Sequence, residues 1–303
     1  MPALEIRNLT KTYANGTTAL QAVDLTIADG DFFALLGANG AGKTTLIGIL
    51  CGLVTKTSGR ASVCGYDLDR DLQEVKSCIG VVPQEFNFSI FDKVIDIVVT
   101  QAGLYGMPRS QAQDRAQELL TALGLWEKRE QTSRALSGGM KRRLMIVRAL
   151  MHKPRVLLLD EPTAGVDVEL RHGMWEYLTT LNAHGTTILL TTHYLEEVER
   201  LCRNVAILRH GVKVRDGSVK ELLKASNREA YRVTLDRDPA ALSVDGFTLS
   251  AIDTSTADVE VERAASITAL VKAVEAAGAQ VLDIRPAANR MEKIFLETIG
   301  SDL

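Results

Sequence analysis

Gly37-Ala38-Asn39-Gly40-Ala41-Gly42-Lys43-Thr44-Thr45 fits the pattern Gly-x-x-x-x-Gly-Lys-Thr, a loop that holds nucleotide phosphates. Its flanks are those the mechanism needs. Phe32-Phe-Ala-Leu-Leu36 reads as a buried strand before it, and Leu46-Ile-Gly-Ile-Leu50 as the start of a helix after it. Glycines let the backbone turn so that successive N–H groups point at phosphate oxygens. The helix N-terminus adds the positive end of its dipole. In that geometry Lys43 reaches the β- and γ-phosphates and the Thr44 hydroxyl binds Mg²⁺. The competing reading is a Gly-rich turn with a solvated lysine, and the strand and helix on either side weigh against it.

Val156-Leu-Leu-Leu-Asp-Glu161 is an apolar run closed by two carboxylates. The run suits a central strand of a parallel sheet, buried on both faces. Asp160 then emerges at the strand's C-terminal end, where it holds Mg²⁺ through its water shell, and Glu161 polarises a water for attack on the γ-phosphate. Alone, two acids after a strand fit a solvated turn equally well; the loop upstream favours the catalytic reading.

The third motif is Leu136-Ser-Gly-Gly-Met140. With it, the chain resembles the nucleotide-binding subunits of ABC transporters, which carry Leu-Ser-Gly-Gly-Gln at this place. The resemblance runs from about residue 4 to 222 with the family motifs in order. It implies that ATP is the ligand. It also implies that Tyr13 stacks on adenine and that Gln84, in Val81-Val-Pro-Gln84, reaches the metal. Thr163-Ala-Gly-Val-Asp167 matches the loop that crosses the dimer, and His193, in Leu190-Thr-Thr-His193, the histidine that contacts the γ-phosphate. Ser137, Gly138, Gly139 and Met140 would serve the ATP held by a second copy of the chain, in an ATP-sandwich homodimer. A tyrosine face stacks on a purine with little sequence demand, and a serine followed by two glycines at a helix start offers a hydroxyl and open N–H groups to an anion. The same residues also make an ordinary helix cap. Met140 and Arg142 replace two glutamines common in the family, while Arg143 keeps the pattern. Methionine donates no hydrogen bond, so any contact made by the first glutamine is lost. The run Ser137-Gly-Gly-Met-Lys-Arg-Arg-Leu144 resembles the ABC-2-type export branch. That implies an exporter driven through a separate integral membrane permease, with this chain cytoplasmic and peripheral on the inner face of the membrane.

Composition agrees. A chain of 303 residues has room for a large domain and a small one. A hydrophobic content of 46% with 24% charged residues describes a globular chain. A net charge of −3 gives no general attraction to nucleic acid, so no nucleic-acid partner is expected. Cys51, Cys64, Cys78 and Cys202 show no metal-like spacing and read as free thiols. No signal peptide is expected from Met1-Pro-Ala-Leu-Glu-Ile. No apolar run approaches the roughly 18 residues a membrane span requires.

The expected fold is α/β, a P-loop NTPase of ABC type. Residues 1–224 form the ATPase domain: an antiparallel β subdomain, a parallel-sheet core with ligands at the strand ends, and a helical insertion at about residues 86–152. In that insertion Ala112, Ala116, Leu119, Leu120 and Leu123 make a core stripe. After a linker at Lys224-Ala-Ser-Asn227, residues 228–303 form a small α+β appendage with nothing catalytic in it. Two other functions compete. A soluble ABC-type ATPase in repair, translation or assembly is disfavoured by a single ATPase unit without long heptad insertions. A nucleotide-gated binding module without turnover is disfavoured by Glu161.

Overall fold

The computed structural model describes residues 1–225, 228–262, 266–287 and 290–299. The chain folds as two compact units, Met1–Gly217 and Ser218–Leu303.

The first unit opens with β1 (Pro2–Thr12) and β2 (Thr18–Ala28), an antiparallel pair. Leu4, Ile6, Val23, Leu25 and Ile27 turn inward while Arg7, Thr26 and Ala28 face out, as a sheet with one wet face requires. β3 (Phe32–Gly37) follows and runs straight into the phosphate loop and α1 (Lys43–Leu50). β4 (Ser58–Val63) and β5 (Tyr66–Asp67) complete the first sheet in the order β2-β1-β4-β5. α2 (Leu72–Cys78) leads to β6 (Ile79–Val82). Next come α3 (Val94–Leu104), α4 (Arg109–Ala122) and α5 (Gly138–Leu150), joined by turns and single turns of 3₁₀ helix. The stripe from Ala112 to Leu123 is buried throughout. The chain then alternates through β7 (Val156–Asp160), α6 (Val168–Ala183), β8 (Thr187–Thr191), α7 (Leu195–Leu201), β9 (Asn204–Arg209) and β10 (Val212–Ser218).

The second sheet has the order β10-β9-β3-β8-β7-β6, and β9, β3, β8, β7 and β6 are parallel neighbours. Every residue of β7 and β8 is buried, as expected for parallel strands covered on both faces. Leu46, Ile49 and Leu50 of α1 pack into one core with Ile6 and Ile27 of the antiparallel sheet and Phe33 and Leu158 of the parallel one. Each such side chain contributes about 1.5–3 kcal/mol on burial. This core fixes the start of α1 against the sheet edge where β3, β7 and β8 end.

The second unit contains α8 (Val219–Ala225), β11 (Arg228–Leu235), β12 (Leu249–Ala251), β13 (Thr256–Glu262), α9 (Ile267–Ala276), β14 (Val281–Pro286) and α10 (Arg290–Ile299). Its sheet is antiparallel, in the order β12-β13-β11-β14, with Leu270 and Val274 of α9 packed into the core of Val233, Leu235, Ala257 and Val259. The division falls ahead of the boundary expected at residue 224. Lys224 and Ala225 end a helix instead of opening a linker, because α8 packs against α10. Residues 226 and 227 lie outside the described residues.

Candidate nucleotide and catalytic site

A cavity of about 730 Å³ opens where the phosphate loop, Gln84, Asp160, Glu161 and His193 meet. The loop's glycines are there for space and for dihedral reasons. Gly42 has φ +106°, and a Cβ on it would lie 2.5 Å from the Ala19 carbonyl oxygen. A Cβ on Gly37 would lie 2.6 Å from the Leu208 carbonyl oxygen. Gly42 is the N-cap of α1 and supplies no side-chain cap, so the first N–H groups of that helix are left for a ligand.

Lys43 is only 8% exposed, and its Nζ donates to the carbonyl oxygens of Gly37 (2.7 Å) and Ala38 (3.1 Å). Burial lowers its pKa, and the charges of Glu161 and Asp160 oppose that shift. The ammonium is therefore buried against the loop's own carbonyls, within range of the charges of Glu161 and Asp160.

β7 and β8 are in register with Asp160 opposite Thr191, which sets the acidic end of the cavity. The Thr191 hydroxyl donates to Asp160 Oδ1, and the Thr44 hydroxyl donates to Asp160 Oδ2 at 3.4 Å. Glu161 has φ +49°, a left-handed backbone rare for a non-glycine residue. The conformation is held by its N–H, which donates to the Thr191 carbonyl (3.0 Å) and hydroxyl (3.2 Å). The turn swings the carboxylate to where Gln84 Nε2 donates to Oε2 at 3.2 Å and His193 Nδ1 lies 3.4 Å from the same oxygen.

Thr44 and Asp160 present hard oxygen donors a hydrogen bond apart, with the Gln84 amide nearby, a set that suits Mg²⁺. Among the described residues no group of three His, Cys, Asp or Glu forms a metal cage. A Mg²⁺ ion held by these residues would need phosphate and water to complete its shell. Tyr13 is joined to the site through Thr45, its hydroxyl 3.2 Å from Thr45 Oγ1 and its ring 4.8 Å from the Lys11 ammonium.

Residues 20–164 match the family model described as ABC transporter. The chain is 39% identical over 220 residues to the Nod factor export ATP-binding protein I of Cupriavidus metallidurans, covering 73% of this chain and 72% of that protein. It is 37% identical over 219 residues to the linearmycin resistance ATP-binding protein of Bacillus subtilis, covering 72% and 70%. This chain belongs to the ABC transporter ATP-binding family. Among solved structures, a dimeric post-hydrolysis ATP-binding cassette bound to ADP and Pi matches with a TM-score of 0.66 at 27% identity, over 71% of this chain and 98% of that one.

As an ABC subunit the chain binds and hydrolyses ATP, and its α/β fold is the ABC form of the P-loop NTPase. Its own cavity gathers residues 39–45, Gln84, Asp160, Glu161 and His193; its lining includes neither Tyr13, Gly37 and Ala38 nor Ser137, Gly138, Gly139, Met140 and Asp167. Ser137 and Gly138 are exposed at the start of α5, where the Ser137 hydroxyl accepts from the Met140 N–H at 3.3 Å. Gly139 is buried against α6; a Cβ there would lie 2.6 Å from Leu170 Cδ1. Asp167 caps α6 by accepting from the Leu170 N–H at 2.9 Å.

Three further residues hold the site in place; Thr191 and Glu197 carry no sequence signal of their own, and Arg142 stands out only as a departure from the family's glutamine. Thr191 ties Asp160 to Glu161. Arg142 reaches the backbone of Pro83 and Gln84. Glu197, fully buried on α7, accepts from the Thr163 hydroxyl and from Trp175 Nε1 (3.0 Å). It thereby joins the loop after Glu161 to the helix after His193. The four cysteines are free thiols, and burial pushes the Cys51 thiol up to about 12.

Proposed function

We propose that two copies of this chain close on ATP and drive export through a separate membrane permease. One observation carries the reading: Ser137 and Gly138 stand exposed at a helix start outside the cavity that gathers Lys43, Asp160 and Glu161, an arrangement that suits an anion brought by another chain. A second copy supplies the missing ATP. In each half Tyr13 stacks on adenine, Gly37 to Thr45 wrap the phosphates, and Lys43 neutralises the β- and γ-oxygens. Thr44, Asp160 and Gln84 hold Mg²⁺, Glu161 orients the attacking water, and His193 contacts the γ-phosphate. Ser137 to Met140 of the other copy close over that phosphate, and Asp167 crosses between copies. Two surfaces that share one ligand associate by mass action, and hydrolysis reopens them.

Export is supported by the relatives, which are named for Nod factor export and linearmycin resistance. Among the described residues no helix is long and apolar enough to cross a membrane; in this reading the permease supplies the span. The chain then sits on the inner face of the membrane through that permease. A second cavity, of about 460 Å³, lies between α3, α5 and the end of β6, with Leu53, Val81, Pro83, Gln101 and Tyr105 in its wall. Its wall includes Pro83, next to Gln84, so a permease segment seated there would feel the nucleotide site. Leu53 is 81% exposed. Co-expression with a membrane protein of about six apolar spans from the neighbouring reading frame tests the assignment. The pair is expected to co-purify, and Leu53→Asp is expected to release it. ATP turnover with no membrane partner in any preparation would count against export.

A chain ending at Gly217 is expected to keep its ATP affinity, because every residue assigned to the nucleotide lies in the first unit. Titration with a fluorescent ATP analogue reads this directly. A soluble truncation that no longer binds would show that the second unit contributes to the site.

A further inference from the structure

Arg142 lies just past the first turn of α5 and is only 4% exposed. Nη1 donates to the Pro83 carbonyl and Nη2 to the Gln84 carbonyl, both at 2.9 Å. The planar fork thus grips two successive carbonyls, which a lysine ammonium cannot match. The guanidinium stands 5.2 Å from the Phe86 ring centre. Further along α5, Arg148 repeats the device: it donates to Asn87 O at 3.0 Å and to Asn87 Oδ1, with the Phe88 ring at 6.0 Å. Residues 83–88 therefore run along α5, fastened by its arginines.

The side chain of Gln84 meanwhile faces the site, with its Nε2 on Glu161. The grip is costly. Arg142 Nε has no partner, and burial lowers the guanidinium's pKa against the opposing charges of Asp160 and Glu161. A buried charge with one orphan nitrogen is a poor way to add stability. Its position explains it better than its energy does.

We propose that Arg142 is a positioning residue for ATP hydrolysis: it fastens the Gln84 backbone to the helix that presents Ser137 and Gly138, so the two phosphate-facing surfaces of one chain move as one piece. Closure of Ser137 on the opposite ATP then sets where Gln84 stands against Glu161 in the chain's own site. The inference rests on the two-chain site proposed above.

Steady-state ATPase kinetics of the full chain test it, with Gln84→Ala, Arg142→Met, Arg142→Lys and the two Arg142 variants each combined with Gln84→Ala. Arg142→Met is expected to lower kcat by ~10- to 100-fold through misplacement of Gln84, with KM for ATP changed by no more than about twofold. Arg142→Lys should fall between, because it meets one carbonyl at a time. In the Gln84→Ala background neither change should cost anything further, since the group being positioned is gone. An Arg142→Met chain with parental kcat would overturn the proposal. So would an equal fractional loss with and without Gln84, which is what a purely structural role gives. Should Arg142→Met fail to fold, the Arg142→Lys pair closes the same cycle. Ser137→Arg run alongside separates the two readings: parental turnover in that variant would sink the two-chain site itself and not the role of Arg142.

Discussion

Glu161→Gln chains supplied with Mg-ATP are expected to accumulate as closed dimers and to turn over at least ~100-fold more slowly than the parent. The amide keeps the size and reach of the side chain. It also keeps the backbone bonds to Thr191 that hold φ at +49°, because these come from the main chain. What it loses is the charge that would polarise water and take its proton. Lys43, Thr44 and Asp160 are untouched, so nucleotide binding should survive. ATP bound across two surfaces then favours the associated state. Light scattering with ATP and with ADP reads the outcome, a dimer in the first and a monomer in the second. Ser137→Arg added to Glu161→Gln should abolish the dimer, since a long side chain at this exposed helix start occupies the space meant for the γ-phosphate. A dimer that persists in the double variant would place residues 137–140 somewhere other than over the opposite ATP.

Lys43→Ala is expected to remove measurable ATP turnover and to weaken ATP binding by roughly 10- to 100-fold, the worth of about 1.5–3 kcal/mol for hydrogen bonds to a charged group. The structure adds a reason for the size of the effect. The ammonium lies within range of the charges of Asp160 and Glu161, and burial has already stripped much of its water. Without it, the γ-phosphate would face two carboxylates with no protein cation between them. The bonds from Nζ to Gly37 and Ala38 also disappear, so a thermal melt of the variant is needed to show that the loop's support survives. Parental hydrolysis by folded Lys43→Ala would show that residues 37–45 do not hold the phosphates.

Much of this protein was legible in local sequence because the chemistry involved is local. A phosphate loop needs glycines at fixed offsets, a lysine and a hydroxyl, all within nine residues, Gly37 to Thr45. A fully buried strand needs an unbroken apolar run, and Val156–Asp160 is one. Residues 4–27 alternate because one face of their sheet meets water. In each case the signal is carried by neighbours along the chain.

The rest depends on contacts between distant residues. Nothing near Arg142 announces that it will grip carbonyls 58 and 59 positions earlier; that depends on how α5 lies along residues 83–88. Thr191 acts on Asp160 and Glu161 only because β8 pairs with β7 in one register. Nothing in the run Leu195-Glu-Glu-Val-Glu199 marks Glu197 out, yet it is buried where α7 meets Trp175 and Thr163. The three-residue strand β12 is too short to alternate visibly, and pairing with β13 alone defines it. α8 follows the first unit in sequence but packs with α10. The amino-acid order by itself determined which chemical groups this protein has and which short segments hold them. Only the tertiary structure decided which of those groups meet, because side-chain hydrogen bonds and helix packing act across space over a few ångströms, whatever the separation along the chain.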